Sequence, residues 1–149
     1  MNIFLDKKIL IYGLGKSGLS AFKFLKNKND VFLYDDDQSK IKDPNTKKKF
    51  VNYSNIFSED FDQIILSPGI DINKCKLTKF LKKNRYKIYS DLDVFYSYYK
   101  NDCVTITGTN GKSTTCQLMY EALLDQKFDV RLVGNIGKPI LSIKNVKKK

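Results

Sequence analysis

The chain is 149 residues long, with 27 Lys+Arg against 16 Asp+Glu, a formal net charge of +11, and no His. Without histidine it supplies no Ser-His-Asp or Cys-His nucleophile and no imidazole metal ligand. Cys75, Cys103 and Cys116 include no CxxC pair and so make neither a disulfide framework nor a zinc knuckle. At 42 % hydrophobic and 29 % charged the composition is that of a globular chain, and its few cysteines suit a reduced, cytoplasmic setting.

Lys8-Ile9-Leu10-Ile11-Tyr12 is a short apolar run that predicts a buried strand. It enters Gly13-Leu14-Gly15-Lys16-Ser17-Gly18, after which Leu19, Phe22, Phe24 and Leu25 recur at near-helical spacing. Val31-Phe32-Leu33-Tyr34 predicts a second strand, closing on Asp35-Asp36-Asp37. The polar stretch 38–49, with Pro44 and a Lys47-Lys48-Lys49 run, reads as loop or frayed helix, and Phe50-Val51-Asn52 as a candidate third strand. Ile64-Ile65-Leu66 predicts a strand stopped by Ser67-Pro68-Gly69. Leu77, Phe80 and Leu81 then predict a helix, and Lys87-Ile88-Tyr89 a strand. Asp91 is placed to cap a helix carrying Leu92, Phe95 and Tyr99. The order β-α-β-β-α-β points to the α/β class, with a mostly parallel sheet between helices.

Near Asn101-Asp102 a new unit begins. It holds strand Cys103–Ile106, a glycine loop, a helix from Ser113 to about Asp125 and strand Val130–Val133. The boundary falls near residue 100, giving units 1–100 and 101–149. The second reads as cut short, because two strands and one helix leave sheet edges and a helix face uncovered.

Gly13-x-Gly15-x-x-Gly18 follows a strand and opens a helix, the setting in which this pattern binds nucleotide phosphates. The first glycine permits the tight turn, the second lets backbone approach phosphate, and the third lets helix pack on strand. Asp35 ends the next strand, where an acidic group usually grips a nucleotide's polar ring atoms. Gly108-Thr109-Asn110-Gly111-Lys112-Ser113-Thr114 is a second, shorter phosphate loop of G-x-x-G-K-S form. Its amides and helix start form an anion site, Lys112 adds a point charge, and the Ser113 hydroxyl is placed to hold Mg²⁺.

Thr107-Gly108-Thr109-Asn110-Gly111-Lys112-Ser113-Thr114-Thr115 resembles the ATP-binding signature of the Mur ligases, which build the peptide of bacterial peptidoglycan. Gly13–Gly18, Leu66-Ser67-Pro68-Gly69-Ile70 and Gly134-Asn135-Ile136-Gly137-Lys138-Pro139 are similar to motifs of the member that adds D-glutamate to UDP-MurNAc-L-alanine. The resemblance implies a Rossmann-like domain for the uridine nucleotide, followed by the start of a P-loop-type ATPase domain. It places Gly15, Lys16 and Ser17 near the diphosphate, and Asp35 and Asp36 at the uracil. Ser67, Pro68 and Gly69 would line the uridine pocket, and Asn135 the substrate side. Gly108, Thr109, Asn110, Gly111, Lys112, Ser113 and Thr114 would take ATP phosphates, with Lys112 catalytic and Ser113 on Mg²⁺. Asp37 departs from the basic residue relatives often carry there, and a carboxylate facing phosphate would repel it. The implied reaction passes the γ-phosphoryl of ATP to a carboxylate, and the amine of D-glutamate then displaces phosphate to form an amide. The family's other catalytic parts lie beyond residue 149, so the resemblance implies an N-terminal piece inactive alone, and a monomer.

Two other readings stay open on the residues alone: an NAD-binding oxidoreductase module resting on the first motif and Asp35, and a non-enzymatic nucleotide- or RNA-binding protein using the lysine surface. Arginine occurs only at Arg85 and Arg131, whereas nucleic-acid sites favour its planar fork, so no nucleic-acid partner is expected. No apolar run approaches the roughly 18 residues that span a bilayer, so no membrane partner is expected either.

Overall fold

The computed structural model describes residues 2–41, 43–134 and 138–143. Four strands, β1 (Lys8–Tyr12), β2 (Asp30–Tyr34), β3 (Gln63–Leu66) and β4 (Ile88–Tyr89), pair in the order β2-β1-β3-β4, every pair parallel. Tyr12 stands opposite Tyr34 on one side and Leu66 on the other. Among the described residues six α-helices accompany them: α1 (Lys16–Leu25), α2 (Pro44–Lys49), α3 (Tyr53–Ile56), α4 (Thr78–Lys83), α5 (Asp91–Tyr98) and α6 (Lys112–Asp125).

The continuous apolar run of β1 makes sense because the sheet is covered on both faces. Ile9 and Ile11, with Val31, Leu33 and Ile65, pack against Ala21, Phe22 and Leu25 of α1 and Val94 and Phe95 of α5. Leu10 and Tyr12, with Tyr34 and Ile64, face the other way onto Ile56 of α3 and Phe80 and Leu81 of α4. The side-chain period of two therefore sorts one strand's residues between two cores. Each fully buried aliphatic side chain contributes roughly 1.5–3 kcal/mol. The result is the expected α/β architecture, a parallel sheet between two helical layers.

Local chemistry sets the helix ends. Asn29 closes α1, its Nδ2 donating to the Leu25 carbonyl at 3.0 Å and its Oδ1 accepting from the Lys7 amide at 3.1 Å. The cap of α5 is Ser90, not Asp91 as expected. The Ser90 hydroxyl accepts from the Asp93 amide, and Asp93 accepts from the Ser90 amide at 2.7 Å. A hydroxyl with a carboxylate three residues on outcompetes an isolated Asp because two orphan donors are satisfied together.

Three strand expectations change. Phe50-Val51-Asn52 forms only a single parallel bridge to Leu33, with Val51 N–H donating to the Leu33 carbonyl at 2.9 Å. Cys103–Ile106 is not a strand, and in Val130–Val133 only Val133 bridges, to Lys138. An apolar run becomes a strand only beside a partner that takes its N–H and C=O groups, and among the described residues Cys103–Ile106 pairs with nothing and Val130–Val133 with one residue only. α6 forms as expected, yet buries none of its side chains. Past it the chain returns to the first unit, where a 3₁₀ turn at Ile140–Ser142 places Ile140 and Leu141 in the core beside α1 and α5.

Candidate functional site

From β1 the chain goes to β2 on one side, then crosses to β3 on the other. Such a reversal, at the carboxyl ends of β1 and β3, is the place where open parallel sheets bind ligands. Two of the motifs meet there. Ser67 donates through Oγ to the Gly13 carbonyl at 2.7 Å, and its amide donates to the Tyr12 carbonyl at 3.0 Å. The contact explains the glycines. Gly13 has φ +96° and a side chain there would lie 2.7 Å from Ser67 Cβ, while a Cβ on Gly18 would lie 1.8 Å from the Gly13 carbonyl oxygen. Gly15 differs, since nothing lies within 4 Å of where its Cβ would be. The open side of the turn is thus at Gly15, with exposed Lys16 and half-exposed Ser17 opening α1, whose start has no side-chain cap. Uncapped amides at a helix start, beside a lysine, suit an anion. Exposed Pro68 and Gly69 follow Ser67 at the same end of the sheet.

Asp35 and Asp36 stand at this end of the sheet, and both carboxylates have partners in the fold. Asp35 is 2 % exposed. It accepts from the Leu14 amide at 2.6 Å, the Asp37 amide at 2.9 Å and Lys40 Nζ at 3.1 and 3.2 Å. Asp36 accepts from the Tyr12 hydroxyl at 2.7 Å and the Lys76 amide at 3.2 Å, while Lys76 Nζ donates to the Asp36 carbonyl at 3.1 Å. Burial, then the bond to Asp36, raises Tyr12 far above the ordinary phenol range. Burial, then the Asp36 charge, leaves Tyr34 pushed up to about 12. Asp37 accepts from the Ser39 amide at 3.0 Å and caps the 3₁₀ turn Gln38–Lys40.

The second loop is built differently. Residues 108–111 are exposed, with Gly108 at φ +150° and Gly111 at φ +75°. Lys112 Nζ turns back to donate to the carbonyls of Gly108 and Thr109, and Thr115 N–H and Oγ1 each donate to the Gly111 carbonyl at 3.0 Å. The side-chain bonds of Lys112 and Thr115 thus close on the loop's own carbonyls. The lysine holds its own loop where a phosphate would otherwise take it, so the donor set fits a polyphosphate. For Mg²⁺ the loop offers the exposed Ser113 hydroxyl, and no acidic or thiol cluster able to hold a metal occurs among the described residues. Asn135 lies outside the described residues.

Lys40, Tyr12 and Lys76 went unread in the sequence because their partners are distant or buried. The alternation along β1 was the one signal, since it sets Tyr12 on the face shared with Tyr34. Two clefts of about 440 Å³ lie elsewhere, one lined by Ile3, Gln63 and Tyr86 and one by Phe57, Phe61 and Phe80. No described helix is long and apolar enough to cross a membrane.

Residues 7–88 match the family described as Mur ligase MurD-like, N-terminal domain. A UDP-N-acetylmuramoylalanine--D-glutamate ligase of Rickettsia bellii is 35 % identical over 148 residues, covering 97 % of this chain and 33 % of the relative. The protein of the same name from Rickettsia prowazekii is 37 % identical over the same coverage. That of Francisella tularensis is 38 % identical over 138 residues, covering 91 % of this chain and 30 % of the relative. The chain spans about a third of the length of these curated relatives.

Proposed function

Because the chain belongs to the Mur ligase family through its MurD-like N-terminal domain, we propose that it serves the ATP-dependent addition of D-glutamate to UDP-MurNAc-L-alanine, binding the uridine diphosphate in the crevice between β1 and β3. In this reading residues 1–100 are the UDP-sugar unit and 101–149 open the ATP-binding unit, with Ile140 and Leu141 returning to the core of the first. The observation that carries it is the bond from Ser67 Oγ to the Gly13 carbonyl, which joins the Gly13–Gly18 and Ser67–Gly69 turns into one notch at the topological switch point.

The residues take the following parts. Amides from Gly15 to Ser17 and the Lys16 ammonium receive the diphosphate, with Pro68 and Gly69 beside the uridine. Lys112 exchanges the Gly108 and Thr109 carbonyls for ATP phosphates, and Thr114 and the loop amides from Gly108 to Ser113 surround them. A substrate carboxylate oxygen attacks the γ-phosphorus and ADP leaves. The D-glutamate amine then attacks the acyl carbon, phosphate departs, and the amide forms. Mg²⁺, met in this stretch by the Ser113 hydroxyl, would neutralise phosphate charge. Such chemistry needs positioned positive charge more than a covalent catalyst, so a segment without histidine can contribute to it. With a third of its relatives' length, the 149-residue chain is proposed to give no turnover by itself.

The oxidoreductase alternative asks Asp35 to grip a ribose, but that carboxylate already accepts from Leu14, Asp37 and Lys40. Titration of the chain with UDP and with NADH, followed by melting temperature and calorimetry, tests the assignment. UDP is expected to bind and raise the melting temperature while NADH does neither. A folded chain that binds NADH and ignores UDP overturns it.

A further inference from the structure

We propose that the cleft between α4 and the turn that follows α3, about 440 Å³ in volume, binds a small amphiphilic carboxylate. The apolar body of the ligand lies on Phe57 and Phe80, and its charge lies between Lys79 and Lys83. The reaction proposed above makes no use of this cleft, whose volume is in the range of small-ligand sites.

The floor is aromatic and held in place. Phe61 and Ile64 are buried, and Phe80 stands edge-on to Phe57 and to Phe61, with ring centres 5.8 and 6.4 Å apart. Phe57 is 49 % exposed, as is Tyr53, whose ring meets it edge-on at 5.1 Å. Single exposed rings are ordinary on a protein surface, but here two adjoin and run on into a buried floor. A ring or alkyl chain laid there removes apolar surface from water on both partners.

Charge decides the other end of the ligand. Two acids and two lysines line the cleft. Both acids already face a lysine from elsewhere in the fold, Glu59 pairing with Lys8 and Asp60 with Lys87 at 2.8 Å. Lys79 and Lys83 differ. Residues 72–90 contain no acid, and among the described residues neither ammonium makes an ion pair. Spaced i and i+4 on α4, they share one face a turn apart. The unmatched charge of the cleft is therefore positive, and a carboxylate on an apolar tail complements both of its parts.

The test titrates the whole chain with phenylbutyrate and with phenylbutylamine, which share an apolar body and differ in the sign of their charge, followed by NMR at low salt. The carboxylate is expected to shift the Phe57 and Phe80 rings and to bind about fivefold tighter than the amine. Added salt should shrink that ratio. Lys79→Met combined with Lys83→Met should abolish the preference, and since both side chains are exposed the core is left alone. Phe57→Ser should weaken both probes together. Equal affinity for the two probes in the wild-type chain, or binding of neither, overturns the proposal. Shifts centred on Gly15 and Ser17 instead of Phe57 mean that the carboxylate has gone to the glycine turn, and overturn it too. Ring shifts that appear on concentrating the protein without a probe mean that a second copy fills the cleft, and likewise overturn it.

Discussion

Gly13–Gly18 and Gly108–Thr114 both link an apolar run to a helix, yet α1 buries Gly18, Ser20, Ala21, Phe22 and Leu25 while α6 buries none of its 14 residues. The first turn is gripped by Asp35 and Ser67 from the ends of the two strands that flank β1, and the second by its own Lys112. Two loops of related chemistry thus differ in what makes them rigid. One is fixed by tertiary contacts, the other by bonds within a few residues, and an isolated helix as short as α6 is marginal in water.

Paired glycine substitutions should expose this contrast most strongly. Gly18→Ala places a Cβ against backbone that has no room to yield, and should cost about 3 kcal/mol or more in urea unfolding. Gly111→Ala meets no atom within 4 Å and only its φ of +75° opposes it. Its local cost is about 1–2 kcal/mol, and the midpoint of the cooperative transition should stay in place. Equal shifts in the two midpoints would show that the second loop belongs to the same cooperative unit.

A smaller effect is expected at high pH, and it belongs to the first region. Tyr12 and Tyr34 hold their protons more tightly folded than at the ordinary value of 10.0, Tyr34 up to about 12. Their contribution is complete below pH 10 and falls as pH rises, since the unfolded phenols ionise first. Tyr34 alone should lose about 2–3 kcal/mol by pH 12. Phenolate absorbance of these two residues should therefore appear together with loss of helical circular dichroism. Phenolate formation in a still-folded chain would contradict the burial argument.

The smallest effect concerns helix starts. α5 begins on the reciprocal Ser90–Asp93 cap, whereas α6 begins on Gly111 with no side-chain cap. Ser90→Ala should lower stability by about 1 kcal/mol in thermal or urea unfolding. A neutral result would mean that packing of Val94 and Phe95, not the cap, sets where α5 begins.

Much of the first region could be read directly from residues. Ile9–Tyr12 and Ile64–Leu66 are apolar runs bounded by turn formers, and they became strands because each found a parallel neighbour. Among the described residues Cys103–Ile106 carries the same signal with no neighbour and Val130–Val133 with a single bridge to Lys138, which is why an equal pattern led to an unequal outcome. The site followed similar lines. Gly13, Gly15 and Gly18 announce a turn by type and spacing, but the inward use of Asp35 depends on Leu14 and Lys40, and a lysine in a lysine-rich stretch carries no mark of its partner.

What the amino-acid order determined by itself was local: the glycines a tight turn demands, the apolar runs that mark strands buried on both faces, and the lysine and hydroxyls of the second loop. The tertiary structure decided which strands are neighbours. The order β2-β1-β3-β4 brings Ser67 to Gly13 and Asp35 to Leu14, 54 and 21 residues apart in the chain. A period of two tells which way a side chain points but not what it meets, because the meeting depends on which edges pair once the whole sheet has assembled.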